Sequence, residues 1–249
     1  MLLSVVIPTL HHGSQLQHCI DGVQRLRALL PYPIEVLAVN GGSTREAIVM
    51  AQQAGFQILH VNRPGIGLRI RAGMLSANGM FRMLIDPSWS IPPEQVQFLL
   101  PPALSGFDVA LASRQLTGAK RVNEPFSSFA IGRMFNHAVQ TLVLSGFEDT
   151  QFNFKCFRAE AARTLFSRCK EEGPAIHVEA LALSQLFGLR VKEVPVDWTF
   201  SAARKVHILK DSPTLLTALL RIRARLATDR YAPLQVGNPP SNEPQAWTL

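Results

Sequence analysis

The chain has 249 residues and 47% apolar content, enough for one large α/β core, or one domain with a terminal appendage, and short for two full domains. Its 25 Lys and Arg against 18 Asp and Glu give a net charge of +7, which favours anionic partners: nucleotide diphosphates, lipid phosphates, an anionic membrane surface or nucleic acid. Cys19, Cys156 and Cys169 are far apart with no CxxC spacing, so neither a zinc site nor a disulfide framework is indicated and a reduced, cytosolic chain is expected. No run reaches the roughly 18 to 20 apolar residues of a spanning helix.

In chain order, apolar runs of five or six residues recur at 2–7, 34–39, 56–61, 81–85 and 108–112, and each predicts a buried strand. The opening MLLSVVIPT lacks a basic n-region and a small-residue cleavage site, so it reads as a strand and not as a signal peptide. Helical stretches fall between the runs: 14–29 with Ser14 as N-cap, 43–53 with Ser43 in that role, and 67–77. This alternation predicts the α/β class, a mostly parallel sheet with helices on both faces. Ligands in such sheets gather at the carboxyl ends of the strands, here Pro8 to His12, Asn40 to Ser43, Arg63 to Gly67, Asp86 to Ser90, and Ser113 to Arg114.

Farther on, helices are expected near 125–144, 158–168 and 176–187, with a short run at 152–157 and a strand over 189–198. A basic loop at 201–205 leads to a helix with Ser212 as cap and Pro213 in its first turn. Leu215, Leu216, Leu219, Leu220 and Leu226 form one stripe, with Arg221, Arg223 and Arg225 mostly outside it. That pattern suits an amphipathic helix docked on its own domain or one lying on a membrane surface. The expected organisation is a domain over 1–200, a basic loop and amphipathic helix over 201–231, and a disordered tail over 232–249, rich in Pro, Asn and Gln.

Taken in order, SVVIPT, GSTREA, GIGLRIRAGMLSANG leading into LIDPSWSIPPEQV, SRQLTGA, DTQFNFKCFR, VEALAL, and VKEVPVDW followed by RKVHILKDS form a recognisable series. The chain resembles the family 2 glycosyltransferases of the GT-A fold, in the branch of dolichyl-phosphate glucosyltransferase and dolichyl-phosphate mannose synthase. The resemblance spans about residues 3 to 226. It implies transfer of a sugar from a UDP- or GDP-linked donor to a lipid phosphate, with Mg²⁺ or Mn²⁺ between the diphosphate and an Asp-x-Asp motif. A phosphate monoester acceptor is already anionic near neutral pH, so it needs cations to gather it more than a strong general base.

Against the family pattern, several positions differ. The first strand end reads Pro8, Thr9, Leu10, His11, His12 in place of Pro-x-Tyr-Asn-Glu, leaving Pro8, Thr9 and the His pair as nucleotide-side candidates. The second reads Asn40, Gly41, Gly42, Ser43 in place of Asp-Asp-Gly-Ser; Asn40 suits either nucleotide contact or a turn, and Arg71 joins the nucleotide set. At the fourth, Asp-x-Asp has become Asp86, Pro87, Ser88, so Asp86 is the catalytic and metal candidate with its second carboxylate missing, which weakens the implied metal. Arg114, Arg133 and Gln151 match acceptor-phosphate positions, and Arg204 and Lys205 match a basic loop that closes over the diphosphate. Asp149 and Thr150 match the family, Phe152 and Asn153 replace its Cys-Gly, Glu179 keeps the end of an Asp-x-Glu pair and His177 replaces its start.

Carboxylates are thus missing at positions 12, 41, 88 and 177, while Arg69, Arg71, Arg114, Arg133, Arg204 and Lys205 remain. Two readings follow. One is an inverting hexosyltransferase in which Arg204 and Lys205 take over much of the metal's electrostatic work; the other is a glycosyltransferase-like pseudoenzyme acting as a binding or partner subunit. A nucleic-acid partner is not expected, because no reading motif accompanies the charge. The expected location is cytoplasmic, peripheral on the cytoplasmic membrane face.

Overall fold

The computed structural model describes residues 2–9, 14–101, 105–200, 208–228 and 231, with only the backbone described over 208–213. Strand and helix alternate through the first third: β1 (Leu3–Ile7), α1 (Ser14–Leu29), β2 (Ile34–Asn40), α2 (Arg45–Gln53), β3 (Gln57–His60), α3 (Ile66–Ser76) and β4 (Phe81–Leu84). A 3₁₀ turn at Pro93–Leu99 leads to β5 (Val109–Ser113), β6 (Lys120–Val122), α4 (Phe126–Leu142), β7 (Lys155–Arg158), α5 (Ala159–Phe166) and α6 (Ile176–Leu186). The order closes with β8 (Val191–Pro195), β9 (Asp197–Thr199) and α7 (Ile208–Ala227).

Seven strands form one sheet in the order β3-β2-β1-β4-β7-β5-β8. Only β7 runs against its neighbours β4 and β5, so the sheet is mostly parallel, as the alternating pattern predicts. Every residue of β1 and β2 is buried, which explains their unbroken apolar runs: both faces of these strands are covered. Leu3, Val5 and Ile7 face α1, α2 and the 3₁₀ turn. Val6 faces the other way, into a second core built from α3 to α7.

Local chemistry shifts some boundaries. The N-cap of α2 is Thr44, not Ser43: the Thr44 hydroxyl accepts from the Ala47 N–H at 3.3 Å. Ser14 is the first residue of α1. The expected strand over 189–198 divides, because Pro195 has no N–H to continue the ladder. Its first part pairs with β5, while Asp197–Thr199 pairs in parallel with β6 in a separate ribbon. Ser212 and Pro213 lie inside α7 and not at its start.

α7 docks on the second core through Ala218, Leu219 and Ile222, all fully or nearly fully buried, which selects the docked reading of the stripe. Leu216 and Leu220, in the same stripe, stay about half exposed. Among the described residues no helix is long and apolar enough to cross a membrane. The candidates His11, His12, Arg204 and Lys205, the loop 201–205 and the tail 232–249 lie outside the described residues.

Candidate active site

The strand order fixes where a ligand can sit. From β1 the chain moves outward to β2 and β3, then returns through α3 to place β4 on the other side of β1. That reversal opens a crevice beyond the carboxyl ends of β1 and β4. Pro8 and Thr9 end β1, Asn40 to Ser43 follow β2, Asp86 to Ser88 follow β4, and Arg114 follows β5. Because β7 is antiparallel, Gln151 to Phe154, which precede it, arrive at the same edge.

At the β2 end, Asn40 is occupied in shaping the turn. Its Oδ1 accepts from the N–H groups of Gly42 at 3.0 Å and Ser43 at 2.7 Å, and its Nδ2 meets His60 Nδ1 at 3.1 Å. The cation at this edge is Arg69, whose Nε donates to the Pro8 carbonyl at 2.9 Å. Arg71 faces elsewhere: residues two apart on a helix point to nearly opposite sides, and its Nη2 reaches the Ser167 carbonyl at 3.5 Å. The first turn of α3 is closed by protein, since the Gly67 N–H donates to Glu172 O at 2.8 Å.

At the β4 end, Asp86 is 3% exposed. Its Oδ1 accepts from the Ser88 N–H at 2.9 Å and its Oδ2 from Asn153 Nδ2 at 3.4 Å. Trp89, which follows Ser88, has φ 43°, an uncommon left-handed conformation for a bulky side chain. Its ring turns into the core against Gly22, where a Cβ would lie 2.5 Å from it, and its Nε1 donates to Cys19 O at 3.1 Å. Trp89 therefore anchors this loop from below and does not line the crevice.

A divalent cation placed at this strand end would meet a single carboxylate. Asp86 is the one carboxylate at the β4 end, and both its oxygens already meet protein donors. Ser88 offers a neutral hydroxyl where a hard cation prefers an anionic oxygen. Among the described residues no group of three His, Cys, Asp or Glu is placed to hold a metal ion.

Beyond β5 the arginines gather. Arg114 grips Asp149 with Nε to Oδ2 at 2.7 Å and Nη2 to Oδ1 at 2.9 Å. Its guanidinium sits 4.7 Å from the Phe152 ring centroid and 5.1 Å from that of Trp198. Burial works against both charges, but the pair overcomes it: the Asp149 pKa is lowered and that of Arg114 raised. Arg121, which carries no signal in the sequence, donates to Arg114 O at 3.0 Å and pairs with Glu124 at 2.7 Å. Burial is the main force lowering its pKa; Glu124 opposes, and Arg114 and Arg133 add to the lowering. Arg133 itself, exposed on α4, reaches Gln115 Oε1 at 3.4 Å. Three guanidiniums against Asp149 and Glu124 leave this end of the edge net positive.

Gln151 is half-buried beside this group. Beneath it, Lys155 is 1% exposed and donates to Phe152 O. Burial pulls its pKa down to about 7, against the attraction of Asp149. His177 is also buried; burial, then the charge of Lys155, hold its pKa well below the ordinary value. Glu179, fully buried, accepts from the N–H groups of Lys170 at 2.9 Å and Glu171 at 2.8 Å, from the Tyr231 hydroxyl, and from Arg225 at 3.5 Å. It ties α6 to the C-terminal helix and takes no place at the crevice.

An open sheet with a cationic strand edge at its switch point defines an α/β protein suited to an anionic, nucleotide-like ligand. The chain belongs to the family described as Glycosyl transferase family 2, whose pattern matches residues 4–166. It is 28% identical over 210 residues to a dolichyl-phosphate beta-glucosyltransferase of Trichomonas vaginalis, covering 78% of this chain and 62% of that protein. The chain thus spans less than two thirds of that relative. A Homo sapiens protein of the same description is 28% identical over 249 residues, covering 92% of this chain and 77% of the relative. Among solved structures, glucosyl-3-phosphoglycerate synthase of Mycobacterium tuberculosis, complexed with Mn²⁺, UDP-glucose and phosphoglyceric acid, superposes with a TM-score of 0.69. That match has 18% identity and covers 90% of this chain and 80% of the other, which establishes the GT-A fold.

Proposed function

We propose that the chain transfers a sugar from a nucleoside-diphosphate donor to a polyprenyl-type lipid phosphate, working as a peripheral protein at a membrane face. The observation that carries this reading is the pairing of cations with exposed apolar surface on α4. Phe126 is 81% exposed, Met134 66% and Phe129 37%, and helical spacing puts Arg133 among them on one face. Large exposed apolar side chains beside cations suit a ligand with an anionic head and a hydrocarbon chain. The names of the two curated relatives support the same acceptor class.

The chemistry follows from the charges. An acceptor phosphate oxygen attacks the anomeric carbon, the bond to the donor diphosphate breaks, and configuration inverts. The phosphate brings its own nucleophilic oxygen, so the tied carboxylate of Asp86 and the buried His177 are not needed as general bases. Arg133 and Arg121 draw the acceptor in, while Arg114 holds the Asp149 turn in shape. Arg204 and Lys205 would meet the departing diphosphate.

The test is transfer of labelled sugar to a polyprenyl phosphate, with free polyprenol as control. Transfer to the phosphate alone supports the proposal. The pseudoenzyme alternative rests on Asp86 being the one carboxylate at the β4 end, and it predicts no transfer with either acceptor.

A further inference from the structure

A second concavity lies away from the crevice. The segment between α5 and α6 and one face of α7 enclose a cavity of about 380 Å³. That volume falls in the range of small-ligand sites, roughly 300–1,000 Å³. The segment is engaged on two sides. Towards α3 its backbone closes on Gly67, where a Cβ would fall 2.4 Å from Glu171 O and 2.8 Å from Gly173 O. Towards α7 the Glu171 carboxylate accepts from Arg221 and Arg225. The segment thus stands between α3 and the cavity, which has a lining of its own.

That lining joins cations to carbon surface. Leu215 and Ala218 of α7, with Pro174 and Ala175 opposite, supply the apolar part. Lys170, Arg221 and Arg225 bring three positive charges, and Arg63 adds a fourth through its pair with Glu172. Against them stand Glu171, Glu172 and Glu179, so the balance is positive. Glu171 is buried, with its side chain 3% exposed, while that of Arg221 is 52% exposed. A guanidinium held on one side by a buried carboxylate and open on the other presents the rest of its N–H fork already oriented, and that fork matches phosphate and carboxylate groups.

We propose that this cavity binds a small organic anion, a phosphate or carboxylate carried on a compact apolar body, at a site separate from that of sugar transfer. The anionic group meets Arg221 and Lys170, and the apolar body lies against Leu215, Ala218 and Pro174. The inference does not depend on which donor or acceptor the transferase uses.

The experiment is calorimetry on the full chain with 1-naphthyl phosphate and 1-naphthoate, and with inorganic phosphate as the probe that lacks an apolar body. At least one naphthyl anion is expected to bind about tenfold or more tighter than inorganic phosphate, through the carbon surface it buries. Arg221→Met should weaken that binding about tenfold, the worth of one charge-assisted contact, while Arg225 keeps Glu171 paired. Thr214→Trp, at an exposed position of the lining, fills the cavity without altering a charge and should abolish binding. Arg133→Met, on α4, should leave it unchanged. Binding that survives Thr214→Trp overturns the site, and a loss in Arg133→Met overturns it by placing the probe on α4. Naphthyl anions that bind no better than inorganic phosphate overturn it too. Flotation with phosphatidylglycerol vesicles that falls in Arg221→Met, with neither soluble naphthyl anion bound, would make the cavity a lipid-headgroup contact and end the small-ligand reading.

Discussion

Arg114→Ala separates a structural from a catalytic arginine. Asp149 is 3% exposed and the Arg114 side chain 18%, so the pair is largely shielded from solvent. Removing one member of a buried ion pair costs about 3–5 kcal/mol, because the other charge is left uncompensated. Alanine at 114 keeps the backbone N–H to Asp149 Oδ2 at 3.1 Å but loses two side-chain bonds and the contacts with Phe152 and Trp198. Lys155 remains as a second cation near Asp149, which places the loss towards the lower end, about 3 kcal/mol. For a chain of this size that is a fall of roughly 6–12 °C in Tm. Urea unfolding followed by far-UV circular dichroism reads it, and Asp149→Leu with Arg114→Met together should recover most of it, since an apolar pair strands no charge. A loss below about 1 kcal/mol in Arg114→Ala, with acceptor use abolished, would refute the reasoning and return Arg114 to the phosphate.

Lys155 gives stability an alkaline slope. Its pKa in the folded chain is about 7 against 10.5 unfolded, so the unfolded state holds more protons between these values and stability rises with pH across that window. Lys155→Met should flatten the rise in urea midpoint from pH 7 to 9.5; an unchanged slope contradicts the burial argument. His177 acts on the acid side: its lowered pKa means that stability is complete above the unfolded value of 6.5 and declines as pH falls below it. His177→Phe should hold its urea midpoint from pH 6.5 down to 5.5 better than the parent, and an equal decline in both is the contrary result. On the outer face, Phe126→Ala/Met134→Ala should weaken flotation with anionic vesicles by about 1–2 kcal/mol per side chain; retained flotation would show that this face does not meet lipid.

The alternation of apolar runs with helical stretches was enough to read the sheet, because strands covered on both faces need unbroken Val, Leu and Ile. β6 escapes such reading, since Lys120–Val122 has three residues, too short for a period, and β9 (Asp197–Thr199) reads only as the end of a longer strand. Positions at the strand ends were legible as places but not as partners. The motif containing Arg114 marks it as a site residue, yet its grip on Asp149, 35 positions away, exists only once β5 and β7 lie side by side. Arg69 shows the same limit. Its place across Gly41 depends on the missing side chain there, and no local pattern links positions 41 and 69.

The carboxylates Glu171 and Glu179 link the C-terminal helix to the crevice end of the sheet. Arg221 and Arg225 hold Glu171 at 2.9 and 2.7 Å, and the following residue, Glu172, accepts the Gly67 N–H that opens α3. Two residues further along that helix stands Arg69. α7 is therefore a buttress for the crevice as well as a cover for the core: a chain cut short before it would keep all seven strands and lose the prop behind the helix that carries Arg69.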